Sequence, residues 1–273
     1  MELQGRLGVL KAKGFGLAAI SYDPPAVLAD FAQRRGITFP LLSDQDSRAI
    51  KAYGILNTTV APTTSYGGVG IYGVPFPGTY ILNREGMVTA RHFEDQYQER
   101  ATVSSILLNL GGAGGTSAVR HATDRLEVTT SVSDETISAG TVFSVVVDVK
   151  PLKKVHVYAP GVTGYKPIAL KIEPVPGLKL RPVRYPPSET YHFRPLNERV
   201  PVYQKPFRLV QELNVELSRE GQALLRDSDK LIIKGSFDYQ ACDDKVCFPP
   251  TSIPVEWTVK VSKLDIERSR IKR

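Results

Sequence analysis

The chain has 273 residues, 42% hydrophobic, 23% charged and 8% aromatic, which excludes collagen-like, low-complexity and wholly disordered classes and suits two domains. Its net charge of +7 is spread thinly except in 263–273 (KLDIERSRIKR), a stretch with no aromatic that reads as a solvated basic tail, so no nucleic-acid partner is expected. No apolar run reaches membrane-spanning length, and the opening MELQGRLGVLKAKG lacks the apolar stretch of a signal peptide.

In chain order, Leu3, Leu7 and Leu10 recur at helical spacing, and Gly14 ends that run. Leu17–Ile20 is a short strand. Asp23 is a good N-cap for a helix over Pro25–Arg35, which Gly36 stops. Phe39–Leu42 is a second strand and Ser47–Tyr53 a second helix. A long, irregular stretch rich in Gly and Pro runs from Gly54 to Pro77. Thr79–Asn83 and Met87–His92 form a hairpin through Asn83-Arg84-Glu85-Gly86. A helix over Glu99–Leu110 closes this part. Alternating helices and strands predict α/β architecture for 1–110. The glycine-rich 111–123 reads as a linker.

Beyond it the pattern changes. Leu126–Val132, Val142–Val149, Leu170–Glu173, Leu209–Leu217, Leu231–Tyr239 and Ile253–Val261 read as strands, several alternating apolar with polar. Glu220–Arg226 is a short helix. Many strands joined by proline-rich connections predict an all-β sandwich over 124–262.

The segments GLAAISY (Gly16–Tyr22), FAQRRGITFPLLSD (Phe31–Asp44), AYGILN (Ala52–Asn57) and PFPGTYILNREG (Pro75–Gly86) resemble the redoxin (AhpC/TSA-type) branch of the thioredoxin-like fold. The resemblance implies a cis-proline at Pro77. It also implies a strand and a cysteine motif ahead of the first helix, but Met1 already lies within that helix. The domain is therefore expected to be incomplete: either it has degenerated into a scaffold or its reading frame starts late, the second favoured because the missing strand is normally central to the sheet. Ala18–Tyr22 and Thr79–Leu82 would then either pair directly or leave a gap. With no cysteine before Cys242, 1–110 should lack peroxidase or thiol-reductase activity of its own, because the thiolate is the nucleophile.

The chain's two cysteines stand in Tyr239-Gln240-Ala241-Cys242-Asp243-Asp244-Lys245-Val246-Cys247-Phe248-Pro249-Pro250. They follow a strand, and Asp243-Asp244 is turn chemistry. In a tight hairpin they would face each other at about 4.5–5.5 Å between Cα atoms, within disulfide reach. So short a loop stabilises by only about 2 kcal/mol, which favours an exchangeable pair over a staple. Two buried free thiols and a purely structural disulfide are the alternatives. A metal is disfavoured because His92, His121, His156 and His192 show no ligand spacing to the pair; none is given a catalytic role, and no cofactor is expected.

YQACDDKVCFPP, with HVYAPG (His156–Gly161) and RPVRYP (Arg181–Pro186), resembles the N-terminal domain of the thiol reductase DsbD over about Arg125–Val261. That resemblance implies an immunoglobulin-like sandwich working in the periplasm or otherwise outside the cytoplasm. It also implies exchange with thioredoxin-like or DsbD-like partners, with Cys247 accepting the partner. A cap loop would fall over Tyr191–Gln204, with Phe193, Leu196 or Tyr203 shielding the pair. Lys245 would favour a thiolate, and Asp243 and Asp244 would oppose it; Tyr239, Phe248 and Pro249 flank the site. The leading function is thiol–disulfide exchange through Cys242 and Cys247. A non-catalytic binding module for redox proteins, with a bracing disulfide, is the alternative. A redoxin-type peroxidase, inactive here for lack of its cysteine, comes third.

Overall fold

The computed structural model describes residues 2–262, apart from 67–68, 71, 94–99, 110–115, 194–196 and 227. The basic tail therefore lies outside the described residues. The chain divides into two compact units, Met1–Val103 and Ser104–Leu264.

The first unit mixes helices and strands. The Pro25–Arg35 helix ends on Gly36, whose φ of 59° is the left-handed conformation that glycine adopts without strain. Asp23 is not its cap: Pro24 holds that position, and the Asp23 carboxylate instead accepts the Ser21 hydroxyl at 2.6 Å. A proline at the first helical position needs no N–H partner, so the cap is dispensable. The capping carboxylate is Asp44. It receives the backbone N–H groups of Arg48, Ala49 and Ile50 at 2.9–3.2 Å and starts the Arg48–Ala52 helix.

The strands of this unit form separate ladders. Ala19–Ser21 pairs in parallel with Leu41–Ser43, and Gly78–Leu82 pairs antiparallel with Val88–Phe93. Among the described residues, Ala19–Ser21 and Gly78–Leu82 share no ladder, so they do not pair directly. Two-stranded sheets bury little. Leu7, Val27 and Ile50 are buried, whereas Ile20, Leu42, Leu82 and Val88 on the strands are exposed. No peptide bond among the described residues is cis, so Phe76–Pro77 is trans, contrary to the cis-proline expected there. Trans is the lower-energy isomer of an X–Pro bond, and no sulfur site lies beside Pro77 to select the other.

The second unit is strand-rich and consistent with an immunoglobulin-like sandwich. One sheet runs in the order Leu178–Leu180, Phe207–Val215, Thr141–Pro151, Leu126–Val132, Thr116–Ala122. The other runs Thr136–Ile137, Thr251–Val261, Lys230–Tyr239, Ala169–Ile172. Alternation sends Leu126, Val128, Val145, Val147, Leu209 and Leu213 inward from the first. Leu231, Ile233, Phe237, Val255, Trp257 and Val259 meet them from the second. The Trp257 indole N–H donates to the Val146 carbonyl at 3.4 Å.

Two boundaries differ from expectation. The last residues of the presumed linker, Thr116–Ala122, are an edge strand paired with Leu126–Val132, because Val119, His121 and their neighbours find a ladder to join. The helix expected to close the first domain, observed over Val103–Asn109, sits largely in the second unit, where the Ser105 and Ser144 hydroxyls share a buried hydrogen bond of 2.6 Å.

Candidate functional site

A third, smaller sheet carries the cysteines. Its order is Glu189–Phe193, Glu198–Tyr203, His156–Tyr158, Ala241–Cys242. His156 lies opposite Cys242, and Val157 opposite Ala241. After Cys242 the chain turns back through Asp243–Val246. The Asp243 N–H donates to the Val246 carbonyl at 3.0 Å, and the Phe248 N–H to the Ala241 carbonyl at 2.9 Å. These two bonds bracket Cys242 and Cys247, which therefore occupy a non-hydrogen-bonded pair, where facing side chains come closest. Their Cα atoms are 4.1 Å apart and a disulfide joins the sulfurs. The Asp243 carboxylate accepts the N–H groups of Lys245 (2.8 Å) and Val246 (2.9 Å). Those N–H groups, Val246 foremost, hold its carboxyl below the usual range, aided by the Arg125 and Lys245 charges.

The two sulfurs have unequal surroundings. Cys242 is 1% exposed, whereas Cys247 is exposed. Cys242 packs with Tyr158 and Val202, and Tyr165, Tyr191 and Val200 close around them. The Tyr158 hydroxyl lies 3.1 Å from Cys242 Sγ and 3.4 Å from Cys247 Sγ. Burial pushes the Tyr158 phenol well above its ordinary value. Its ring stacks on Tyr165 at 4.3 Å, and the Tyr165 hydroxyl donates to Glu198 Oε2 at 2.7 Å. His156 is buried edge-on against Tyr158 and 4.5 Å from the Tyr191 ring. Burial lowers its pKa, against the pull of Asp244 and Asp243. Burial, with the Asp244 charge second, raises the Tyr191 pKa.

The residues expected at the site divide into those near the pair and those turned elsewhere. Asp243, Asp244 and Lys245 form the turn, and Asp244 and Lys245 are exposed. Phe248 is half-buried beneath the Arg125 guanidinium, 3.9 Å above its ring. Pro249 is exposed, its carbonyl accepting the Thr251 hydroxyl. Tyr239 does not flank the sulfurs: it stacks on Phe237 in the main core, and its hydroxyl donates to Thr123 Oγ1. Tyr203 is a core anchor as well, stacked on Phe207 and donating to the Pro186 carbonyl at 2.7 Å. Phe193 pairs with Glu198 across the hairpin, and Leu196 lies outside the described residues. The proposed cap segment is thus a β-hairpin whose Tyr191, Val200 and Val202 pack around Cys242 and Tyr158.

Tyr158, Tyr165 and His156 escaped the sequence reading. The available signal was the alternation in His156-Val157-Tyr158, which puts His156 and Tyr158 on one face; only the pairing register places that face against Cys242. Among the described residues, no group of three or more His, Cys, Asp and Glu is arranged to hold a metal. A cleft of about 460 Å³ lined by Val119, His121, Lys230, Trp257 and Lys260 includes neither cysteine.

Residues 1–91 match the AhpC/TSA family, and residues 124–256 match "Thiol:disulfide interchange protein DsbD, N-terminal". The chain is thus similar to an AhpC/TSA redoxin domain in its N-terminal part and to a DsbD N-terminal domain in its C-terminal part. Both families imply oxidoreductase-type activity in general terms. Putative peroxiredoxins from two strains of Mycobacterium tuberculosis are 30% identical over 105 residues, 37% of this chain. The chain spans 58% of the length of these curated relatives. Among solved structures, the N-terminal periplasmic domain of ScsB from Proteus mirabilis is similar, at 14% identity and TM-score 0.36, over 53% of this chain and 51% of its own. The reduced DsbD N-terminal domain of Neisseria meningitidis is similar at 16% identity and TM-score 0.30, over 43% and 78%.

Proposed function

We propose that this chain is an extracytoplasmic thiol–disulfide oxidoreductase that exchanges electrons with thioredoxin-like or DsbD-like proteins through Cys242 and Cys247. One observation carries the reading: a disulfide closes a very short hairpin with one cysteine exposed and the other buried. Such a crosslink adds about 2 kcal/mol by restricting the unfolded chain, little for a structural staple. The exposed sulfur is open to an incoming thiolate and the buried one is the leaving group. The match of residues 124–256 to the DsbD N-terminal family supports the partner class, and a closed disulfide suits an oxidising compartment. Residues 1–91 hold no cysteine, so the exchange belongs to the second unit.

The test is a trapping experiment with a reduction potential beside it. Cys242→Ser leaves Cys247 able to form a mixed disulfide that no neighbour resolves, so a thioredoxin-like partner is trapped; Cys247→Ser traps none. Trapping in the opposite variant reverses the assignment of the two sulfurs. A wild-type potential below about −300 mV, the range of structural disulfides, favours the bracing alternative.

A further inference from the structure

The mechanism so far leaves the leaving sulfur unsupported. When Cys247 is attacked, the electron pair departs on Cys242 Sγ, in a site 1% exposed to water. Burial disfavours a thiolate, and the carboxylates of Asp243 and Asp244 disfavour it further. Lys245 lies exposed in the turn, where water screens its charge. His156 packs against Tyr158 with its pKa lowered by burial, so it brings little positive charge.

We propose that Tyr158 is a catalytic residue of this exchange, its hydroxyl donating the hydrogen bond that stabilises the Cys242 thiolate as the disulfide opens. This inference rests on the exchange reading above. The donor already lies 3.1 Å from Cys242 Sγ, within reach before the bond opens. Its polarity is set by the neighbours. A disulfide sulfur carries no hydrogen, so the Tyr158 hydroxyl can only donate in this contact, while Tyr165 commits its own proton to Glu198. A disulfide sulfur is a weak acceptor and a thiolate a strong one. On bond cleavage, rotation of the single Tyr158 O–H therefore converts a weak contact into a charge-assisted bond. The ring is fixed by stacking on Tyr165 and by His156 at its edge, which is preorganisation of the kind that lowers a barrier.

The electron count balances with a partner dithiol. Its first thiolate attacks Cys247 Sγ, forming a mixed disulfide as the Cys242–Cys247 bond breaks and Cys242 leaves as thiolate. Its second thiolate then attacks its own sulfur in the mixed disulfide and releases Cys247. The partner dithiol is oxidised to a disulfide, this pair is reduced to a dithiol, and the protons lost by one are regained by the other through water. The reverse reaction uses the same contact.

The experiment uses the full chain, with dithiothreitol as reductant and the ultraviolet absorbance of thiolate as a second readout. Tyr158→Phe keeps the ring and removes the donor. It should slow reduction about ten-fold, the worth of one hydrogen bond to a charged group, and shift the Cys242 thiolate titration upward. A variant with wild-type rate and wild-type titration overturns the inference while leaving the exchange reading intact. A wild-type disulfide that resists dithiothreitol under folding conditions overturns both. Should Tyr158→Phe fail to fold, a single-cysteine variant takes its place. In Cys247→Ser the NMR ring resonances of Tyr158 should shift as Cys242 ionises; resonances indifferent to that ionisation sink the proposal.

Discussion

At the residue scale, the turn between the cysteines depends on one carboxylate. Asp243 ties the N–H groups of Lys245 and Val246, and these bonds depress its pKa. A depressed carboxyl contributes in full above its unfolded-state value, and the contribution is lost as pH falls through the folded value. Amide-exchange protection at Lys245 and Val246 should therefore be constant at neutral pH and fall in acid. Asp243→Ala should abolish the protection at every pH and slow reoxidation of the reduced pair, because the hairpin no longer holds the sulfurs opposite each other. Protection that is indifferent to both acid and the substitution would mean that the backbone bond from Asp243 to Val246 suffices.

At the scale of elements, the two sheets of the sandwich are held by side chains with almost no exposed surface. Phe237 is fully buried on the Lys230–Tyr239 strand, which leads directly into Cys242. Phe237→Ala removes its ring contacts and leaves a cavity, at a cost of about 3–5 kcal/mol. The urea midpoint of the second unit should drop accordingly. Because Tyr239 stacks on the same ring, the loosened strand should also expose Cys242 to alkylation after reduction. A large fall in stability with no change in Cys242 accessibility would uncouple the core from the site. In the first unit, by contrast, Ile20 and Leu42 stay exposed on paired strands.

At the scale of the whole molecule, chemistry and architecture are unevenly divided. Both cysteines lie in the unit Ser104–Leu264, and exchange needs a thiolate that reaches an incoming disulfide. A fragment spanning Ser104–Leu264 should retain the thiol exchange of the full chain, measured with a reduced thioredoxin-like protein. A fragment spanning Met1–Val103 should reduce neither insulin disulfides nor peroxide. Its start at Ser104 matters, since Ser105 bonds Ser144 of the sandwich. Peroxide or insulin reduction by the first fragment would relocate the chemistry.

Much of this arrangement was legible in the residues themselves. Alternation in Ile253–Val261 and Leu231–Tyr239 foretold two strands, which pair antiparallel. Pro25 and Gly36 bounded a helix at its observed ends, since local backbone chemistry alone decides where it starts and stops. Six residues with a turn at their centre were enough to bring Cys242 and Cys247 together, because a hairpin's register is local. What stood far apart in sequence was not legible. Tyr158 meets Cys242 across 84 residues, and Glu198 reaches Tyr165 across 33. Tyr203 and Tyr239, aromatic and near the motif, turn into the core instead. Which aromatic faces the sulfurs depends on how the His156–Tyr158 strand pairs with its two neighbours, and a shift of one residue would turn every side chain to the other face. The sequence by itself thus determined the short hairpin that brings the two cysteines within reach; the third sheet's register decided which hydroxyl stands beside the leaving sulfur.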